Sequence, residues 1–252
     1  MSKYKAVFKR YEKKYIVTSS QKEKLVETML DYMTPDEYGQ STICNIYFDT
    51  PDFRIIRSSI EKPLFKEKLR LRSYGVPERD SNVFVELKKK YKGVVYKRRI
   101  HMSYVDSLEY LLKGVCPEKA NPQVLNEINY FLSVYPGIRP AVSLFYDRTA
   151  YYGKTDRELR ITFDSNIRFR NKNLDLSKGS DGSSLLDEEK SIMEIKCIGS
   201  MPLWLSAELD RMEIFPTSFS KYGSAYRIMM SEPDDKPSEE TKEVAIKEVV
   251  NI

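Results

Sequence analysis

The segment Phe65–Tyr74 reads Phe-Lys-Glu-Lys-Leu-Arg-Leu-Arg-Ser-Tyr, two alternating sets with opposite chemistry. Lys66, Lys68, Arg70 and Arg72 share one parity; Phe65, Leu69 and Leu71 share the other, with Glu67 the exception. A period of two means a strand, because successive side chains point to opposite faces. The same split recurs in five further stretches. Glu86, Lys88 and Lys90 oppose Val83, Val85 and Leu87. Lys97 and Arg99 oppose Val94, Tyr96 and Ile100, with Arg98 out of step. Arg160, Thr162, Asp164, Asn166 and Arg168 oppose Leu159, Ile161 and Phe163. Lys190, Glu194 and Lys196 oppose Met193, Ile195 and Cys197, while Arg10, Glu12 and Lys14 oppose Val7, Tyr11, Tyr15 and Val17.

One strand of this kind is most often a sheet with a solvated face. Several together are different, because like charges side by side on one face repel. A polyanion would neutralise such a ladder. The carboxylates Glu12, Glu86, Asp164 and Glu194 lie at matching parity among the cations, as a divalent cation with phosphates would need. The net charge of +5 is modest, but it is unevenly placed. Residues 66–99 hold twelve Lys/Arg against four Asp/Glu, whereas 232–252 hold three against seven. The middle of the chain therefore attracts anions and its end is acidic.

The pattern predicts strands near residues 5–17, 41–48, 65–74, 82–90, 93–101, 138–151, 158–170 and 190–197. Helices are expected near 20–33 (capped by Ser19 or Ser20), 52–56, 104–113, 122–135, 202–209 and 220–230. Thr34-Pro35-Asp36 reads as a break, and 171–188 as a polar, mobile loop. Hairpin-linked strands with interspersed helices give an α+β class. The specific expectation is an eight-stranded antiparallel β-barrel tunnel, polar and basic inside, with helices packed on its apolar outer wall. It forms one domain over 1–230. Residues 231–252 form an acidic tail, loosely ordered or with a short helix near 239–250.

Several functions are excluded. His101 is the only histidine, so Ser-His and Cys-His triads and His-rich metal sites are absent. Three scattered cysteines, Cys44, Cys116 and Cys197, suit a reduced, cytoplasmic protein without structural zinc. No apolar run is long enough for a membrane span. No aromatic-rich nucleic-acid motif is evident, and a closed tunnel excludes a duplex, so nucleic acid is not expected as a partner. Oligomeric state is not readable.

In this order the motifs Arg10-Tyr11-Glu12-Lys13-Lys14-Tyr15, Tyr47-Phe48-Asp49-Thr50, Lys68-Leu69-Arg70-Leu71-Arg72-Ser73-Tyr74, Val85-Glu86-Leu87-Lys88 and Tyr96-Lys97-Arg98-Arg99 resemble the VTC domain of polyphosphate polymerases. The likeness continues through Tyr146-Asp147-Arg148-Thr149-Ala150-Tyr151, Arg160-Ile161-Thr162-Phe163-Asp164, Met193-Glu194-Ile195-Lys196 and Phe219-Ser220-Lys221-Tyr222-Gly223. It covers nearly the whole chain up to about residue 230. The VTC domain belongs to the triphosphate tunnel metalloenzymes. The resemblance implies transfer of the ATP γ-phosphate to a growing inorganic polyphosphate (or pyrophosphate) chain, with Mn²⁺ or Mg²⁺. It implies reacting-centre roles for Arg70, Arg72, Lys88, Arg148, Arg160 and Lys196. Lys14, Lys68, Lys97, Arg99, Ser220 and Lys221 would hold phosphates. Glu194 would be the main metal ligand, with Glu86, Asp164 and Glu12 as further candidates. The wider superfamily often opens with an ExExK strand; here Arg10 stands at the first carboxylate position, which favours a polymerase over a triphosphatase. A tri(poly)phosphatase of the same fold and a non-catalytic polyphosphate or inositol-polyphosphate binding module are the alternatives.

Overall fold

A computed structural model describes residues 10–92, 94–117 and 120–231. The order begins β1 (Arg10–Thr18), α1 (Ser19–Tyr32), β2 (Met33–Pro35), β3 (Ser41–Asp49), α2 (Arg54–Ile60), β4 (Phe65–Tyr74), β5 (Asn82–Tyr91) and β6 (Val94–Ser103). It continues α3 (Tyr104–Leu108), a π-helical turn (Glu109–Lys113), α4 (Pro122–Val134), β7 (Arg139–Gly153), β8 (Arg160–Arg170), a 3-10 turn (Leu176–Lys178), β9 (Ser183–Ser184), β10 (Lys190–Ile198), α5 (Leu203–Arg211) and α6 (Lys221–Ser231). The fold is α+β, and the pairs β1–β10, β10–β8, β2–β7, β3–β4, β4–β5, β5–β6 and β8–β9 are antiparallel, as expected. Eight long strands match the expected eight; β2 and β9 are short additions.

The described chain forms two compact units. One contains the residues up to Ser41, Tyr146–Ile167 and Leu186–Phe219; the other contains Thr42–Phe145, Arg168–Leu185 and α6. In the first, β1 pairs with β10, β10 with β8, and β2 with the C-terminal end of β7. Tyr15, Val17, Ile161, Phe163, Met193 and Ile195 form the inner face of a core closed by Leu25 and Met29 of α1 and Leu205 and Leu209 of α5. Leu25 and Met29 are four residues apart, so both lie on one side of the helix. In the second unit, β3, β4, β5 and β6 follow one another. Ile46, Phe48, Leu69, Leu71, Val85, Leu87 and Ile100 pack against Tyr104 and Leu108 of α3 and Ile128 and Phe131 of α4.

In both units the helices cover the apolar face, and the charged parity is left on the other. Burial of Leu or Phe stabilises by about 1.5–3 kcal/mol each, so the helix-covered face holds each unit together.

Several expectations shift. The cap of α1 is Thr18, not Ser19 or Ser20: its hydroxyl accepts from Gln21 N while Gln21 Oε1 accepts from Thr18 N. The break at Pro35 holds the short strand β2, paired through Met33–Pro35 to Tyr151–Gly153. Helix 104–113 changes to π geometry at Glu109. The loop after β8 is tied down rather than loose. Tyr104 Oη donates to Asp175 Oδ1 at 2.8 Å, Ser143 Oγ donates to Leu174 O at 2.8 Å, and Arg170 pairs with Asp181 at 3.0 Å. A side chain at Gly182 would meet Phe169 O at 2.5 Å, so this close approach requires glycine. The acidic tail lies outside the described residues. No helix among the described residues is long and apolar enough to cross a membrane.

Candidate functional site

The second unit carries the stronger electrostatic feature. Register places Tyr47 opposite Arg70 and Asn45 opposite Arg72; Arg70 faces Glu86, and Lys68 faces Lys88. Across the next pair Glu86 faces Arg99 and Lys88 faces Lys97. Lys68, Arg70, Arg72, Lys88, Lys97 and Arg99 therefore share one face with a single carboxylate, Glu86. That carboxylate is 1% exposed. Arg70 reaches it from Nε at 2.8 Å and Nη2 at 2.7 Å, Lys97 at 2.5 Å and Arg72 at 3.8 Å. Burial alone would raise the Glu86 pKa; Arg70, Arg72 and Lys97 outweigh it and bring it down to about 2. Lys97 is held below its ordinary value by burial and by Arg70 and Arg72, despite Glu86.

The guanidinium groups are fixed from the other side as well. Arg72 Nε donates to Asn45 Oδ1 at 3.0 Å, and Arg70 Nη1 donates to Tyr47 Oη at 3.1 Å. Burial pushes the Tyr47 phenol up, but Arg70, Lys68 and Arg72 draw it down to about 8. Tyr47 stacks on Tyr222 of α6 at 4.9 Å, and Lys68 Nζ donates to Ser220 Oγ at 3.3 Å. Ser220 in turn accepts from Gly223 N at 3.2 Å and caps α6, whose first residue is Lys221. Tyr222 Oη donates to the buried Asp49 at 2.7 Å, and Asp49 also accepts from Thr50 N, Ile55 N and Ile56 N. Asp49 thus fastens the start of α2 to α6 beside the charged face.

The first unit has its own charged face. Glu12 faces Lys196, Lys14 faces Glu194, and Glu194 faces Thr162. Glu194 lies between Lys14 at 3.4 Å and Lys196 at 3.5 Å; Lys196 is 3.9 Å from Glu12. Lys14 also donates to Phe219 O at 3.1 Å. Arg148 grips the fully buried Asp164 with two bonds, 2.6 Å from Nε and 2.7 Å from Nη2. Burial opposes the Arg148 charge, but Tyr146, Asp164 and Glu194 overcome it and raise its pKa. Arg160 stacks over Tyr152 and lies 3.9 Å from Asp36. Thr162 Oγ1 is buried on this face, next to Glu194 in register.

The sixteen expected site residues thus fall on the charged faces, apart from Ser220 and Lys221 at the start of α6. Lys88 and Arg99 are exposed there, with Arg99 over the Phe84 ring at 4.8 Å. Asn45, Tyr47, Asp49 and Tyr222 were not among the expected residues. Glu86 neutralises three cations, while Asp164 is engaged by two nitrogens of Arg148. Among the described residues no group of three or more His, Cys, Asp or Glu could hold a metal ion. Glu194, a single carboxylate, could hold a hard cation that keeps water among its other ligands, as Mg²⁺ commonly does.

The VTC domain family matches residues 9–230. The chain belongs to the VTC domain family. A search of curated proteins finds no match. Among solved structures, this VTC-domain protein is similar to a candidate adenylate cyclase from Bacillus halodurans, at 15% identity and TM-score 0.50, covering 83% of this chain and 92% of that one. A candidate adenylate cyclase from Vibrio parahaemolyticus matches at 12% identity and TM-score 0.48, covering 90% and 100%. A Hippeastrum protein described as having a dominant triphosphatase activity matches at 13% identity and TM-score 0.43, covering 85% and 93%. The first likeness is one of fold alone. The antiparallel α+β fold of the VTC-domain protein is thus shared with the Bacillus halodurans protein.

Proposed function

We propose that this VTC-domain protein is a metal-dependent ATP:polyphosphate phosphotransferase, adding the ATP γ-phosphate to a growing inorganic polyphosphate chain. The observation that carries the reading is the face of β4, β5 and β6, where Lys68, Arg70, Arg72, Lys88, Lys97 and Arg99 surround one carboxylate. A chain of phosphates supplies the missing negative charge at a regular spacing.

A phosphate nucleophile is already anionic near neutral pH, so no general base is required. Catalysis then rests on positioning and charge neutralisation. Arg70 and Arg72, pre-aimed by Glu86, Tyr47 and Asn45, supply planar forks for phosphate oxygens. Arg148, set by Asp164, does the same with Arg160 in the first unit, where Lys196 adds a point charge. Lys14, Lys68, Lys97, Arg99, Ser220 and Lys221 hold the remaining phosphates, with the α6 N-terminus favouring a terminal one. Glu194 is the carboxylate that would hold Mn²⁺ or Mg²⁺, and Glu12 orients Lys196. The cation, when bound, offsets the charge of the transferring group.

Incubation with ATP and Mn²⁺ followed by gel electrophoresis tests this. A ladder of long chains supports the polymerase. Release of ADP or AMP with only free phosphate or pyrophosphate would make the protein a triphosphatase. Chain binding without turnover, unaltered in Glu194→Ala, would make it a binding module.

A further inference from the structure

At the far end of the second unit's sheet, the charged pattern gives way to exposed apolar side chains. Leu64, Phe65, Tyr91, Val94, Val95 and Tyr96 are each between 44% and 71% exposed. They are contiguous. Phe65 lies opposite Tyr91, and Tyr91 opposite Val94. Lys92 N donates to Leu64 O at 2.9 Å, joining the α2–β4 connection to the end of the β5–β6 hairpin. Single exposed hydrophobes are ordinary, but a contiguous cluster marks an interaction surface.

Two properties of this cluster select its partner. First, the exposed apolar side chains are not confined to one face of the hairpin end. Phe65, Tyr91, Val94 and Tyr96 continue the parity of the core, while Val95 sits on the charged parity with Lys97. A partner laid against one sheet face would cover only part of it. A medium that surrounds the end covers all of it. Second, the rim is cationic. Lys66 lies directly opposite Lys90, and burial together with Lys90 and Lys62 holds the Lys66 pKa down, which reports positive charges crowded together. Lys92 adds another at the hairpin end; Glu61 and Glu67 are the nearby carboxylates, and Glu67 is engaged by Tyr135 and Lys89. A second copy docking here through a two-fold contact would press lysine against lysine. A free phosphate chain would gain nothing from Leu64, Val94 and Val95.

We propose that the end of the β5–β6 hairpin, with Leu64 and Phe65, docks on an anionic lipid bilayer. The aromatic and aliphatic side chains enter the headgroup–acyl boundary, and Lys62, Lys66, Lys90 and Lys92 meet the lipid charges, their stems lying along the interface. The proposal stands apart from the phosphotransferase reading, since Leu64, Val94, Lys62 and Lys92 have no part in that chemistry.

Flotation with vesicles tests it at physiological salt. The full chain is mixed with vesicles of phosphatidylcholine alone or with phosphatidylserine added, and inorganic polyphosphate binding and thermal melting are measured on the same samples. The expected result is flotation with the phosphatidylserine vesicles only. Leu64→Asn with Val94→Asn lowers this binding about tenfold, an energy near 1.4 kcal/mol, with polyphosphate binding unchanged. Lys62→Gln with Lys92→Gln weakens it comparably, so the question stays decidable if the apolar variant melts early. Absence of flotation overturns the proposal. So does flotation undiminished in the apolar variant, which would mean charge adsorption by another face. Equal binding to phosphatidylcholine alone, or a dimer in sedimentation velocity that the apolar variant abolishes, also overturns it.

Discussion

Replacing Glu86 with Gln removes one negative charge while keeping the side chain's size. The carboxylate is almost wholly buried and contacts Arg70, Lys97 and Arg72. Its pKa falls from an ordinary 4.5 to about 2. At about 1.36 kcal/mol per unit, that difference corresponds to about 3 kcal/mol of stability. The folded pKa is depressed, so this contribution is fully present above pH 4.5 and is lost as pH falls through about 2. Glu86→Gln should therefore be about 3 kcal/mol less stable than the parent near neutral pH, a drop of roughly 10 °C in melting temperature. The gap should close as both proteins are taken toward pH 2. Denaturant titrations of the two proteins at a series of pH values measure it. Inorganic polyphosphate should rescue the variant more than the parent, because the three cations left without their carboxylate gain the larger benefit from a bound anion. A gap that is absent at pH 7, or constant down to pH 2, would refute the assignment of Glu86 as the counter-ion of this cluster.

Glu194→Ala should abolish turnover while leaving polyphosphate affinity equal or tighter, as filter binding and product gels would show; retained turnover would remove the residue from its proposed role. Asp164→Asn deprives Arg148 of its two-bond carboxylate partner and should cost about 3 kcal/mol of stability together with a large loss of kcat, read by denaturation and steady-state kinetics. Tyr47, lowered to about 8, should appear as a phenolate absorbance that titrates near pH 8 and vanishes in Tyr47→Phe; no tyrosine ionising below pH 9 would count against the Arg70–Tyr47 contact. Tyr222→Phe should weaken the Asp49 linkage by about 2 kcal/mol, visible as earlier melting without a change in the Tyr47 titration.

The strand pattern was legible where alternation was strongest. β4 begins at Phe65 and ends at Tyr74 as expected, because apolar and cationic side chains cannot exchange faces without inverting burial. β2 was hidden, since three residues containing Pro35 carry no period. The π turn at Glu109 was hidden too, because its apolar residues, Tyr110 and Leu111, suit an α-helix equally well. The shared face of Lys68, Arg70, Lys88 and Lys97 could be read from each strand alone. Which carboxylate serves which cation could not. Glu86 meets Arg70 and Asp164 meets Arg148 through register between separate strands, and that register depends on packing across the sheet. Asn45 and Tyr47 did leave a signal. They alternate with Cys44, Ile46 and Phe48, so the same parity applied to β3 places them on the charged face.

The Tyr222–Asp49 hydrogen bond spans 173 residues of sequence. A chain growing on the ribosome presents Asp49 long before Tyr222 exists, with the start of α2 already drawing on the same carboxylate. Until α6 arrives, that carboxylate lacks one donor and the Tyr47 ring lacks its stacking partner. The second unit also needs Arg168–Leu185, which is made after most of the first unit. Neither unit can close in order of synthesis. This VTC-domain protein completes the charged face of its second unit only once α6 has been made.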